Sequence, residues 1–199
     1  GDGGTAREVM KHSTVQHVDM VEIDPTVVEA SKNFLPEVGD FDNPKLNVLY
    51  QDGITFVKKV KQPYDVLIVD GSDPVGPAGG LFEKEFYRDC FKVLTDQGVL
   101  VTQTESPWVS TYHPSIKNVY KALVDPFRNV SVYLTFIPLY PGGMWSMMCA
   151  SKKDHPLDKK VIERVDANNE KLRDLKYYNP DIHQSCFALP NFVADIIKE

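Results

Sequence analysis

Four short apolar runs between residues 17 and 105 each end in acidic or amide side chains, and each leads into a segment with helical spacing. The runs are HVDMVEID (17–24), KLNVLYQD (45–52), PYDVLIVD (63–70) and VLVTQTE (99–105). The helical segments are PTVVEASKNFL (25–35), GITFVKKV (53–60), FEKEFYRDCFKVL (82–94) and HPSIKNVYKALVD (113–125). Pro25 sits in the first turn of its helix, where a missing N–H costs nothing. Strands alternating with helices predict an α/β fold built on a doubly wound, mostly parallel twisted sheet with helices on both faces. Ligands of such sheets bind outside the carboxyl ends of the strands, and Glu22, Asp24, Asp52, Asp70, Gln103 and Glu105 all fall there.

The same pattern sets the finer expectations. PYDVLIVD is almost continuously apolar, as expected of a strand covered on both faces. Gly98 is the expected stop between the 82–94 helix and the strand that begins at Val99. VSVYLTFI (130–137) is a further strand, and MWSMMCASK (144–152) is expected to close the sheet at one edge. Residues 1–152 then form one domain. Residues 153–199 form a charged helical tail, ending in the Pro-punctuated stretch CFALPNFVADII and packed on that domain.

Composition narrows the partners. A chain of 199 residues, 42% hydrophobic and 25% charged, suits one domain, or a domain with an appendage. Its net charge of −6 and the lack of a basic block argue against nucleic acid and favour a cationic ligand. Cys90, Cys149 and Cys186 are odd in number and widely spaced, with no CxxC pair. They predict buried free thiols in a reducing cytoplasm, not a disulfide framework or a zinc site. No apolar run of about 18 residues could span a bilayer and no signal peptide precedes the domain, so a cytoplasmic protein without membrane attachment is expected.

GDGGTAREVMKH (1–12) has glycines, Gly3 among them, that let backbone approach a ligand, followed by an amphipathic helix whose N-terminus points at it. Glu22 follows Asp2 by 20 residues, the spacing at which an acid receives the ribose hydroxyls of a nucleoside. An ordinary tight turn also accounts for the glycines. A dinucleotide fits less well, because Asp2 would repel its pyrophosphate. Such a turn normally follows the first strand of a nucleotide-binding unit, and no strand precedes Gly1. That strand is therefore expected upstream, and a molecule beginning at Gly1 is expected to be poorly stable and little active.

Asp52 and Gly53 end the second run. The carboxylate suits the exocyclic amine of an adenine, with Gly53 leaving room for the ring, and it suits a helix N-cap equally well. The segment VDGSDPVGPAGG (69–80) is more demanding. Asp-Pro and Gly-Pro pairs make good loops, but a loop does not need Asp70 and Asp73 beside the acids of neighbouring strand ends. Two unit charges about 4 Å apart interact by roughly 4 kcal/mol at an effective dielectric near 20, so clustered acids call for a cation. No EF-hand spacing favours a metal. Polyamines or other organic amines fit better.

GDGGTAREV, VEID, QDG, VDGSDPVGPAGGLF, QTES, IPLYPGGMWS and LKYYNPDIHQSCFALPNFV occur in the order seen in spermidine synthases. The chain resembles that family of polyamine aminopropyltransferases over essentially its whole length. The resemblance implies a Rossmann-like, S-adenosylmethionine methyltransferase-type fold, here N-terminally incomplete and lacking the family's small β-rich domain. It implies transfer of an aminopropyl group from decarboxylated S-adenosylmethionine, a co-substrate, to putrescine, with no permanently bound cofactor and no metal. Asp70 matches the general base and Asp73 the second acid that holds a substrate amine. Glu22 matches the ribose ligand, and Asp52 with Gly53 the adenine site. Gly3 matches the glycine-rich nucleoside turn, and Pro77 a position lining the thioether product. Asp2 matches an acid near the aminopropyl amine or the polyamine, Tyr140 a tyrosine contacting the diamine, and Trp145 a tryptophan of bacterial members. Gln103 matches a pocket residue.

Both substrates are cations, a sulfonium bearing a free amine and a doubly protonated diamine, which explains the acids. An acidic pocket also repels the carboxylate of ordinary S-adenosylmethionine. Two positions depart from the family pattern: Gly71 stands where Ser is common, and Gly79-Gly80 replaces Glu-Ser or Glu-Gly in the loop over the site. Neither touches Asp70 or Asp73; the first alters strand-end rigidity, and the second favours a more mobile loop. The alternatives are a putrescine N-methyltransferase on the same fold and a truncated non-catalytic homologue. A homodimer or homotetramer is implied by the family.

Overall fold

Apolar β-branched runs become strands and amphipathic stretches become helices along most of the chain. The computed structural model describes residues 1–71, 76–140, 142–168 and 174–198, and the side chains of all of these except residues 76–78. The chain divides into two compact units, Gly1–Val60 and Lys61–Glu199.

The first unit runs α1 (Gly4–Met10), β1 (Val18–Glu22), α2 (Pro25–Phe34), β2 (Leu46–Tyr50) and α3 (Gly53–Lys59). β1 and β2 pair in parallel, from Val18 opposite Leu46 to Glu22 opposite Tyr50. α2 starts where expected. Pro25 occupies its first turn, and the Asp24 carboxylate accepts hydrogen bonds from the Thr26 amide (2.9 Å) and hydroxyl (2.6 Å). The buried apolar side chains of this unit are few: Ala6, Met10, Val28 and Val57.

The second unit continues with β3 (Tyr64–Val69), a 3-10 segment (Gly76–Phe82), α4 (Lys84–Lys92), β4 (Leu94–Gln103), a short 3-10 turn (Ser110–Tyr112) and α5 (His113–Leu123). It ends with β5 (Asn129–Phe136), β6 (Met144–Ser151), α6 (Lys159–Ala167), α7 (Pro180–Ser185) and α8 (Asn191–Lys198). Its sheet has the order β3-β4-β6-β5, with β3 parallel to β4 and β6 antiparallel to both of its neighbours. Three of its strands therefore share one direction. Leu100, Met148 and Ala150 of the sheet, Tyr87 and Cys90 of α4, Ile116, Val119 and Leu123 of α5 and Val193 of α8 are almost completely buried and form its core.

Several expectations are corrected. β6 does not close an edge but lies between β4 and β5. Residues 137–143 are too short a connection for a parallel crossover, so β5 and β6 must pair as antiparallel neighbours. β6 is buried on both faces at Trp145, Ser146, Met148, Ala150 and Ser151, and suits the inner place. β4 begins at Leu94, not Val99: α4 ends at Lys92, the Val93 carbonyl accepts from the Tyr64 amide (2.8 Å), and a register shift between Tyr64 and Val66 absorbs the irregular start. Glu105 falls beyond the strand end and is buried. β3 is not covered on both faces, since Val66 and Ile68 are about half exposed on an edge strand. Only Cys90 is a fully buried thiol, while Cys149 and Cys186 are partly exposed.

The tail docks on the second unit. The Leu134 amide donates to the Cys186 carbonyl (2.9 Å), Tyr133 packs on Phe187 (5.5 Å between ring centres), and Ser131 bonds His155 Nε2 (2.7 Å). His155 Nδ1 accepts the Leu157 amide (3.1 Å), so Nε2 carries the proton of the neutral ring and donates to Ser131. This pair therefore holds structure and does not activate the serine. Among the described residues, no helix is long and apolar enough to cross a membrane.

Candidate active site

In the first unit the glycine-rich turn, the end of β1 and the end of β2 carry the expected residues. Gly3 has φ +83°, and a Cβ there would lie 2.8 Å from the Phe41 ring and 2.9 Å from the Gly39 Cα. Only glycine fits that position. The Asp2 carboxylate accepts the Gly4 amide (2.8 Å) at the start of α1. Glu22 and Asp52 are gathered at the carboxyl ends of paired parallel strands, where the Gln51 amide donates to the Glu22 carbonyl (3.0 Å). Glu22 accepts the Asp24 amide (2.9 Å). Burial pushes the Glu22 carboxyl up, and hydrogen bonds from the Asp24 and Ile23 amides pull it down.

Asp52 takes the cap role. It is the residue before Gly53, the first of α3, and accepts the Ile54 amide (3.0 Å) on one oxygen and the Thr55 hydroxyl (2.8 Å) on the other. Each oxygen keeps a lone pair, so capping does not preclude a further donor such as an adenine amine. Burial again raises the carboxyl, and the Thr55 and Ile54 contacts overcome it and lower it. A carboxyl lowered in the folded state stabilises above its unfolded value, and that stability is lost as pH falls through the folded value. Asp52→Ala is therefore expected to cost about 0.5–2 kcal/mol at neutral pH. The gap to wild type should narrow in acid, as denaturant titrations at the two pH values would show.

In the second unit Asp70 directly follows β3, and Val69 pairs with Thr102, so Asp70 is level with Gln103 at the carboxyl end of β4. Gln103 Nε2 donates to the Gly71 carbonyl (3.0 Å), and Gln103 Oε1 accepts the Trp145 indole N–H (2.9 Å). Trp145 is buried and meets the half-exposed Tyr140 edge-on, 4.7 Å between ring centres. Gly71, Gln103, Trp145 and Tyr140 thus form one connected chain beginning beside Asp70. Behind it lies a buried polar seam that strand periodicity does not reveal. The Thr104 hydroxyl donates to the Ser146 carbonyl (2.7 Å), and the Ser146 hydroxyl donates to the Glu105 carbonyl (2.7 Å). Its only sequence signal is the run of polar residues in VTQTES and the serine in MWSMM.

Asp73 and the side chain of Pro77 lie outside the described residues. Trp108 and His113 are structural: Trp108 stacks on Phe192 (4.7 Å) and His113 Nε2 bonds the Pro107 carbonyl (2.8 Å). Among the described residues, no group of three or more His, Cys, Asp or Glu is placed to hold a metal ion. Burial pushes the Cys90 thiol up to about 12 and the Cys149 thiol up to about 11, so neither is a ready nucleophile.

Comparison with known proteins shows the family of the chain. Residues 1–161 match the spermine/spermidine synthase domain. The chain is 43% identical over 203 residues to a polyamine aminopropyltransferase of Clostridium perfringens (strain SM101 / Type A), covering all of this chain and 69% of that protein. It is 47% identical over 199 residues to a polyamine aminopropyltransferase of Caldicellulosiruptor bescii, again covering all of this chain and 69% of the relative. It superimposes with a TM-score of 0.89 on a spermidine synthase solved in complex with the transition-state analogue AdoDATO, at 38% identity over 98% of this chain and 66% of that one. The spermidine synthase from Thermotoga maritima gives 0.87 and 38%, over 98% of this chain and 65% of that one. The chain thus spans about two thirds of the length of its relatives.

The fold is of the Rossmann-like, S-adenosylmethionine methyltransferase type, and the relatives mark the chain as that of a transferase. Within that class, the chain belongs to the spermine/spermidine synthase family, the polyamine aminopropyltransferases.

Proposed function

We propose that the protein bearing this chain transfers the aminopropyl group of decarboxylated S-adenosylmethionine to putrescine, giving spermidine and methylthioadenosine. The observation that carries this reading is the carboxyl edge of β3 and β4, where Asp70 stands level with Gln103 and next to the Gly71–Trp145–Tyr140 chain. A carboxylate beside aromatic side chains suits an alkyl diamine. In this reading Gly3, Glu22, Asp52, Gly53 and Pro77 hold the nucleoside sulfonium, and Asp2 faces its aminopropyl amine or the polyamine. Asp70, Asp73, Tyr140 and Trp145 hold the diamine, and Gln103 lines the pocket. Residues 1–152 form the catalytic domain and 153–199 its tail, in a cytoplasmic homodimer or homotetramer.

The reaction needs one amine of the diamine without its proton. Asp70 accepts that proton, and the freed nitrogen attacks the propyl carbon next to sulfur. The new C–N bond forms as the C–S bond breaks, and its electron pair neutralises the sulfonium to a thioether. The positive sulfur is itself the activated leaving group. The acids hold the amine in line, which lowers the entropic part of the barrier. Incubating the full-length protein with putrescine and either donor, decarboxylated or ordinary, separates the readings by product mass. Spermidine from the decarboxylated donor is expected. Methylputrescine without spermidine would overturn the proposal.

A further inference from the structure

The geometry points to Gln103 as a positioning residue that braces the turn after Asp70 and the indole of Trp145 at once, instead of binding the amine substrate itself. The inference rests on the proposed aminopropyl transfer and deepens it. β4 is flanked by β3 on one side and β6 on the other, and Gln103 is its last residue. Its side chain reaches both ways along the sheet edge, to Gly71 after β3 and to Trp145 in β6.

The orientation of the amide is forced. An indole N–H is a donor only, so it must face the amide oxygen. The amide nitrogen is then turned to the Gly71 carbonyl, which can only accept. Gly71 needs such help, because it has no side chain to hold its own backbone. Among the described residues, a Cβ there would meet only Leu81, at 3.3 Å. Glycine next to a catalytic carboxylate leaves the backbone free to rotate, and a fixed carbonyl removes that freedom. At the other end, the buried Trp145 passes the constraint to Tyr140 through their edge-on contact. The frame behind is tied beyond the formal strands, by the Thr104 amide to the Ser146 carbonyl (3.1 Å) and the Ser146 amide to the Glu105 carbonyl (3.0 Å).

The test uses the full-length enzyme and the variants Gln103→Leu, Gln103→Glu, Trp145→Phe and the double Gln103→Leu/Trp145→Phe. A lost brace misplaces Asp70, so Gln103→Leu should lower kcat roughly tenfold to a hundredfold, with KM for donor and diamine little changed. Trp145→Phe keeps a ring but removes the N–H, and the double variant should be no worse than Gln103→Leu. Gln103→Glu keeps the acceptor for the indole and loses the donor to Gly71. It should retain the Trp145 indole N–H resonance, assigned by its loss in Trp145→Phe, and still lose kcat. In Gln103→Leu that resonance should move upfield. A rise in diamine KM at constant kcat would make Gln103 a ligand and overturn the inference, as would additive effects in the double variant. If the wild-type enzyme makes no spermidine, the functional reading fails. The indole resonance then still decides the brace, which an unmoved signal in Gln103→Leu overturns.

Discussion

Asp70→Asn in the full-length enzyme is expected to lower turnover by about 10²–10⁴-fold while leaving nucleoside binding nearly intact. Asparagine keeps the size of the side chain and its hydrogen-bonding reach, but it cannot take a proton from an ammonium. The diamine would then have to arrive already deprotonated. Alkyl ammonium groups release protons near pH 10 or slightly above, so the residual rate of the variant should climb with pH well beyond the wild-type optimum. Glu22 and Asp52, the expected nucleoside ligands, are on β1 and at the start of α3 and do not depend on position 70. Product formation followed by mass, beside calorimetric titration with methylthioadenosine, separates the two effects. Turnover that survived the substitution would remove Asp70 from the role of base.

The second large effect is on stability. Leu100 lies in β4, opposite Leu67 of β3 and Ala150 of β6, and is completely buried. Truncation to alanine removes apolar surface from the middle of the sheet and leaves a cavity that paired strands on both sides cannot close. Leu100→Ala is expected to cost about 2–5 kcal/mol. Leu139 provides the control: it is 93% exposed, and the same substitution there should stay within about 0.5 kcal/mol. Urea midpoints of the two variants against wild type test the pair. Equal shifts would mean that the core of the second unit does not lie where the structure places it.

Much of the site was legible because two periodicities are easy to separate. Apolar runs of strand length, each ending in acids, place Glu22, Asp52, Asp70 and Gln103 at carboxyl ends without any coordinates, and the structure finds all four there. The roles of single residues were less legible. Asp52 suited a cap and an adenine ligand equally, and only the Ile54 and Thr55 contacts show that the cap is formed. The place of β6 follows from chain connectivity, which residue patterns do not carry, and both of its faces look alike to a pattern. Gln103 depends on lateral register: its partners are 32 residues before it and 42 after it, at a separation no local motif encodes.

The docked tail has a consequence for how the chain behaves in concentrated solution. β5 is an end strand, and an unguarded end strand offers its backbone as a template for other molecules. The Cys186 carbonyl takes the Leu134 amide, and Phe187 covers Tyr133, so the tail shields this part of the edge from neighbours. At the opposite end of the same sheet, β3 shows Val66 and Ile68 to solvent, and among the described residues no strand pairs with its outer side. Loss of the tail would uncover the Leu134 amide and the Tyr133 ring, and self-association through β5 is then expected to rise.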